Sequence, residues 1–384
     1  MNTNPTDLHK LLINRLMEDP VKFLRENGIN EMIQAKIDFN QLRGMVCRIY
    51  DINETQLQEL SNANTGKLGD MNRAATDDRM KLFNKKVDNQ KNGKKYYRIY
   101  AEGDSWFQFP RFIHDIIDHL NDNDDFLIVA DAYGGDWITN IIYEEQYIAG
   151  LSTYMPEIFL ISGGGNDLVG SHRLAVMVDK ESNIESAGLT KKYTSIDQIT
   201  SSILTTQEKQ MIIEGQKYIN KEFYALLAVF ELQYTKMFNN LYKDGSKHKN
   251  LITITQGYDY PIPSPKRRFS IYSPLQPLVN KFLDTGNWLY TPLMAKGILD
   301  ENVQRSILFT MIFEFNEMLS SFAKNDNYKV FHVDSRGLTT SIDDWYDGLH
   351  LKKPFFGKVA KAYEFIIRNH QSLGDRKVIR TRDL

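Results

Sequence analysis

The chain has 384 residues, 42% hydrophobic and 25% charged, and its 47 Lys and Arg against 49 Asp and Glu leave a formal charge of −2 at pH 7. This is the balance of a globular protein with room for one large core plus an appendage, or for two domains, and it gives no electrostatic reason to expect nucleic acid or an anionic membrane as the main partner. A single cysteine, Cys47, excludes an internal disulfide framework and a cysteine-based zinc cluster.

The opening MNTNPTDLHKLLINRLMEDP lacks a basic segment followed by a sustained apolar one, and no run approaches the roughly 18 apolar residues that span a bilayer. The expectation is a cytoplasmic protein without a transmembrane segment; leaderless export leaves no mark in a sequence. Leu8, Leu11, Leu12 and Leu16 recur at helical spacing, and Asp19-Pro20 reads as the N-cap and first residue of another helix that stops at Asn27-Gly28. Residues 1–60 are therefore expected as a separately folded helical module, suited to docking a protein partner. Residues 61–95 turn polar and rich in Asn, Asp and Lys, the pattern of a linker with one weak helix. The catalytic part of the chain is expected to work without either segment.

From Tyr96 short β-rich runs alternate with helical segments: 96–105, 126–135, 157–167, 250–263 and 329–337. Strands that are apolar throughout and alternate with helices predict a parallel sheet covered on both faces. Ile113, Ile116, Ile117 and Leu120 follow the first strand at helical spacing, and Phe355, Val359, Tyr363 and Ile366 do so near the end. Residues 171–248 form a helical insertion, either a cap over the site or extra scaffold, with Phe223, Leu226, Leu227 and Phe230 on its apolar side. The unit runs over 96–372 and leaves 373–384 as a tail.

The segment NDNDD at 121–125 lacks the glycine and closing glutamate of a calcium loop and reads as a solvated turn. The strand ends are more informative, because in a doubly wound sheet functional groups gather at the carboxyl ends of the strands. There the chain carries Gly103-Asp104-Ser105, Gly134-Gly135-Asp136 and Gly163-Gly164-Gly165-Asn166-Asp167, and after the fifth strand Asp347-Gly348-Leu349-His350. A serine becomes a nucleophile when a base takes its proton, and its transition state needs donors for an oxyanion; this set contains each kind of group. Nucleotide binding fits less well, since GGGND lacks the G-x-G-x-x-G spacing and no Walker lysine follows a strand.

The blocks GDSWF, GGGND and DGLH, with AYGGDW between the first two, resemble those of the SGNH hydrolases, the GDSL esterase/lipase superfamily, over residues 96 to 370. YDYPIP and NWLYTPL look like segments of a bacterial subgroup. The resemblance implies a three-layer α/β/α, flavodoxin-like fold with a five-stranded parallel sheet. It implies a serine ester hydrolase (esterase, lipase or deacetylase) acting through an acyl-enzyme on a small-molecule, lipid or carbohydrate ester, with no cofactor and no metal. Carried onto this chain, Ser105 is the nucleophile, His350 the general base and Asp347 its orienting acid. The oxyanion hole is the N–H of Ser105, the N–H of Gly135 and the side-chain amide of Asn166; Gly134 is the alternative to Gly135. The subgroup usually has an acidic residue where Gly348 stands and a proline where Leu351 stands. Among the histidines, His172 is the competitor nearest the site, and His332 within the fifth strand reads as a core residue. Trp106, Tyr258 and Trp288, near the crevice loops, are expected to touch substrate. The competing reading is an inactive or ligand-binding protein on the same scaffold whose amino-terminal module docks a partner.

Overall fold

The five apolar runs become strands β1 (Tyr97–Gly103), β2 (Phe126–Ala132), β3 (Ile158–Ser162), β4 (Ile252–Gln256) and β5 (Val330–Asp334). The structure, a computed structural model, describes residues 5–24, 26, 37–61, 66–109, 113–169, 173–180, 204–265 and 288–384. All strands lie parallel in one sheet of order β2-β1-β3-β4-β5-β6. The sheet thus has six strands where five were expected. The sixth, β6 (Val378–Arg380), lies in the segment read as a tail and pairs His332 with Val378 and Asp334 with Arg380. Three residues, Val-Ile-Arg, are too few to show a periodicity, so the run carries no strand signal of its own.

In chain order the helices are α1 (Pro5–Glu18), α2 (Phe39–Tyr50), α3 (Glu54–Ser61), α4 (Gly66–Asp88), α5 (Ile116–Asn121), α6 (Ile138–Glu144), α7 (Gln146–Tyr154), α8 (Gly165–Leu168), α9 (Arg173–Val176), α10 (Thr206–Gln216), α11 (Lys221–Tyr242), α12 (Tyr290–Ala295), α13 (Glu301–Ala323) and α14 (Lys353–Asn369). Within the 171–248 insertion α11 is scaffold. Phe223, Leu226, Leu227 and Phe230 are fully buried, Phe230 meets Phe315 of α13 edge-on, and Tyr242 bonds Thr253 of β4. Among the described residues no helix is long and apolar enough to cross a membrane.

The amino-terminal helices depart from the expected separate module. Leu16, Phe23, Leu42, Met45, Val46, Ile49 and Leu57 belong to the same buried apolar cluster as the sheet. The Tyr50 hydroxyl donates to the Asp167 carbonyl, and its ring meets Trp137 edge-on at 5.9 Å. The expected linker is largely α4, a helix of 23 residues. It runs antiparallel along the edge strand β2. Near its start Asn72 bonds Gly134, just past the end of β2, and near its finish Lys86 donates to the carbonyls of Asn121, Asn123 and Phe126, where β2 begins. Its polar composition concealed this because the residues it buries deepest are themselves polar: Asn72 is 0% and Arg79 9% exposed.

Arg79 is the largest of these anchors. It pairs with Asp115 at 2.7 Å and Asp118 at 2.8 Å and donates to the Phe107 carbonyl at 2.6 Å. A buried cation survives only with such compensation. Burial pushes the Asp115 carboxyl up to about 7 even with the guanidinium pulling it down.

Candidate active site

The chain leaves β1 for β2 on one side and returns to β3 on the other, so the loops after β1 and β3 part at the switch point of the sheet. Ser105 stands two residues beyond β1. A Cβ on Gly103 would lie 2.8 Å from both Phe107 Cδ2 and the Ser162 carbonyl oxygen, so only glycine lets the turn press against β3. Asp104 then fixes the turn: its carboxylate accepts the Trp106 N–H at 3.0 Å and its carbonyl accepts those of Phe107 and Gln108, each at 3.0 Å. Ser105 is held at 9% exposure.

His350, the expected base, lies on the loop after β5. Trp345 and Leu351 form an antiparallel bridge, and the Tyr346 N–H donates to the His350 carbonyl at 2.8 Å, leaving Asp347-Gly348-Leu349 at the tip of a tight hairpin. Asp347 Oδ1 accepts the N–H groups of Leu349 at 2.7 Å and His350 at 2.8 Å, while Oδ2 lies 2.8 Å from His350 Nδ1. His350 Nε2 lies 2.7 Å from Ser105 Oγ. Ser105, His350 and Asp347 thus form one connected line, although 245 residues separate the first two. Burial works to raise the Asp347 carboxyl, but the His350 ring and these hydrogen bonds outweigh it and hold the group below the usual carboxylate range. Phe109 meets the His350 ring edge-on at 4.5 Å and the Trp106 indole N–H donates to the Leu349 carbonyl at 3.1 Å, so the loop carrying His350 is braced from the segment that follows Ser105. At Gly348 a Cβ would meet open space.

The expected oxyanion donors are oriented by their neighbours. Gly135 has φ +92°, a conformation that favours glycine. Asn166 Nδ2 donates one proton to the Asp136 carbonyl at 2.8 Å, which ties the side chain to the residue after Gly135. Its second N–H and the backbone N–H groups of Ser105 and Gly135 have no hydrogen-bond partner among the described residues. Ser105, Asn166 and His350 line a cleft together with Asp259 and Tyr258 and with an apolar group, Leu168, Val169 and Ile312.

Four groups that sequence reasoning did not single out hold this loop system. The Asp167 carboxylate accepts from Ile138 N–H at 2.8 Å and Thr139 Oγ1 at 3.0 Å and so caps α6, which follows the Gly135 loop. Asp136, pushed up to about 8 by burial, accepts from Trp137 N–H and Asn140 Nδ2. Asp259 accepts from Gly337 N–H, Thr339 N–H and Thr339 Oγ1, each at 2.7 Å, and fixes the chain on its way to the base. Finally, α4 clamps two loops at once: Asn72 bonds the backbone of Gly134, its carbonyl accepts from Gln108 Nε2 at 3.1 Å, and a Cβ on Gly135 would lie 3.2 Å from Leu68. Of these, Asp136, Asp167 and Asp259 sit in the motifs AYGGDW, GGGND and YDYPIP, whereas the α4 residues had no motif signal.

Of the residues expected to touch substrate, Trp106 and Tyr258 line the cleft and also brace its loops. Trp106 lines the cleft but is 2% exposed, packed edge-on against Tyr258 and Phe356. Tyr258 donates its hydroxyl proton to Asp104 and accepts the Gly165 N–H at 2.9 Å, tying the nucleophile turn to the Asn166 loop. Trp288 is half-buried against the core and is not among the described residues that line the cleft. His332 is buried within β5, bonded to Thr255. His172 lies outside the described residues.

Compared with models of protein families, with curated proteins and with solved structures, the chain matches none.

Proposed function

We propose that the protein is a serine ester hydrolase that works through an acyl-enzyme. The observation that carries this reading is the unbroken line from Ser105 Oγ to His350 Nε2 at 2.7 Å and from His350 Nδ1 to Asp347 Oδ2 at 2.8 Å, at the switch point of a parallel sheet. A serine, an imidazole and a buried carboxylate in that order are what acyl transfer requires. His350 takes the Ser105 hydroxyl proton at Nε2 as Oγ bonds to the ester carbonyl carbon. Asp347 accepts a hydrogen bond from the Nδ1–H, which stays on the ring, and its negative charge stabilises the imidazolium that forms. The tetrahedral oxyanion is met by the unpartnered N–H groups of Ser105, Gly135 and Asn166. Its collapse breaks the bond to the leaving alkoxide, which takes the proton from His350; a water then repeats the cycle on the acyl-enzyme and frees Ser105.

The apolar lining by Leu168, Val169 and Ile312 suits a hydrocarbon acyl group beside the reacting carbonyl. The test is a panel of esters of graded acyl length with Ser105→Ala beside it, together with mass mapping of a fluorophosphonate adduct. The expected result is ester turnover that Ser105→Ala abolishes and one stoichiometric adduct on Ser105. Turnover that survives the substitution, or an adduct on a different serine, overturns the assignment.

A further inference from the structure

Outside the described residues that line the cleft, the chain passes through His114 into α5. His114 Nε2 lies 3.3 Å from Asp122 Oδ2, and His119 Nδ1 lies 3.9 Å from the same oxygen. Among the described residues these three form a group of metal-ligating side chains whose ligand atoms all lie within 4.8 Å of one another. Donors held about 2.0–2.1 Å from a tetrahedral zinc ion stand roughly 3.3 Å apart, so the set needs a contraction of an ångström or so at its widest point.

The orientation of His119 is the second observation. Its Nε2 lies 3.0 Å from the Lys353 carbonyl oxygen, which only accepts, so Nε2 carries the proton and Nδ1 presents its lone pair to His114 and Asp122. The His119 Nδ1 lone pair facing the Asp122 carboxylate is repulsive, and a cation between them turns that contact attractive. An imidazole that donates its other N–H to a backbone carbonyl is also the usual setting of a metal-bound histidine, since that bond fixes tautomer and ring plane. The ring is further held against the first turn of α14, where a Cβ on Gly357 would lie 3.2 Å from it, and meets the His114 ring edge-on at 4.4 Å. Asp122 is 69% and His114 31% exposed at the side chain, so an ion has a way in and water can complete the shell.

We propose that His114, His119 and Asp122 form a binding site for a divalent transition metal, zinc above all, with water as the fourth ligand. Two imidazoles and one carboxylate suit zinc and disfavour calcium or magnesium, which take oxygen donors. The site is structural. It joins α5, which follows the nucleophile turn, to Lys353, three residues beyond His350, and the bound ion strengthens the His119 Nε2–H bond to that carbonyl. No step of ester hydrolysis runs through it.

The experiment uses untagged full-length protein and two probes, zinc alone by titration calorimetry and cobalt(II) by visible absorption. The expected result is one zinc per chain at micromolar concentration, a higher Tm with zinc than with a chelator, and cobalt bands of a four-coordinate site. His114→Ala and Asp122→Asn, both at accessible positions, are expected to weaken zinc binding at least tenfold and to erase the cobalt bands, with circular dichroism and chelated Tm unchanged. Absence of saturable zinc binding at micromolar concentration overturns the proposal. So does binding that both variants retain, because the ion then sits elsewhere, on His350 for example.

Discussion

The side chain of Asn72 forms a reciprocal pair of hydrogen bonds with the backbone of Gly134: Nδ2 donates to its carbonyl at 3.2 Å and Oδ1 accepts its N–H at 3.1 Å. A helix 62 residues upstream therefore sets the peptide that immediately precedes Gly135. Asn72→Ala leaves both Gly134 groups without these partners in a buried place, at a cost of about 1–3 kcal/mol. The expected outcome is a lower Tm and a fall in kcat on a short-chain ester that exceeds any rise in KM, with Asn72→Asp, which keeps the acceptor, intermediate. A lower Tm with kcat intact would reduce the clamp to a stability element.

The same geometry reverses the expectation that the amino terminus is dispensable. A chain starting near residue 90 loses Asn72, Arg79 and Lys86 together, with the buried surface of α1 and α2. It is expected to lose its cooperative melting transition and its ester turnover. A cooperative transition near that of the full chain, recorded by circular dichroism, would instead mean that residues 96–384 fold alone.

Arg79→Met separates two roles of one side chain. Methionine fills much of the volume, but Asp115 is left buried and without its cation, and breaking a buried pair in this way costs about 3–5 kcal/mol. Because burial already pushes Asp115 up to about 7, the variant relieves part of the penalty by protonating it. Its deficit in Tm against the parent is therefore expected to narrow below pH 6 or so. A deficit independent of pH would show that the loss is one of packing.

Asp347→Asn keeps the loop but not the charge. The amide oxygen still accepts the N–H groups of Leu349 and His350, whereas the contact at His350 Nδ1 no longer specifies the productive tautomer. By analogy with other triads turnover falls by roughly 10⁴. Asp344, whose carboxylate accepts from the Thr340 and Ser341 N–H groups, acts on loop structure, and Asp344→Asn is expected to change turnover little. Single-turnover acylation rates rank the two; the reverse order would displace Asp347 from its role.

The pH dependence of stability has a sign set by burial. Asp167 and Asp259 are pushed up to about 6 and Asp136 to about 8, so the folded chain holds these protons more tightly than the unfolded one. Their contribution is full below the ordinary carboxylate value of about 3.9 and is lost as pH rises through their folded values. Asp347, held low, acts oppositely and loses its contribution as pH falls below the ordinary range. Tm is thus expected to peak in mildly acidic solution and to decline toward pH 9 or so, with Asp136→Asn flattening the alkaline limb. An unaltered limb would mean that Asp136 is ionised in the folded state.

How much of this was legible follows from how local each signal is. Ser105, Asn166 and the Asp347–His350 pair sit in short motifs at strand ends, where the fold itself gathers them. The three-residue offset of Asp347 and His350 fits one tight turn, and the structure closes it at 2.8 Å. Asn72 and Arg79 were illegible because a polar residue on a polar helix looks solvated until its partners are known, and those partners are Gly134 and Asp115, far along the chain. Trp106 and Tyr258 illustrate the converse. Their position near the serine was readable and both line the cleft, but their bonds to Leu349 and Asp104 depend on packing that no local pattern records.

The two margins of the sheet have a consequence for self-association. An open strand edge is a template on which a second chain can add a strand. Here one margin, β2, is flanked along its length by α4 with Lys86 fastened to the carbonyls at its start, and the other, β6, is three residues long and begins and ends in half-buried Val378 and Arg380. Neither offers a long, flat, apolar ladder. Loosening α4 therefore frees more than the Gly134–Gly135 loop: it uncovers β2, with Phe126, Leu127, Ile128 and Val129 in succession, and makes that strand the place where intermolecular β-pairing would begin.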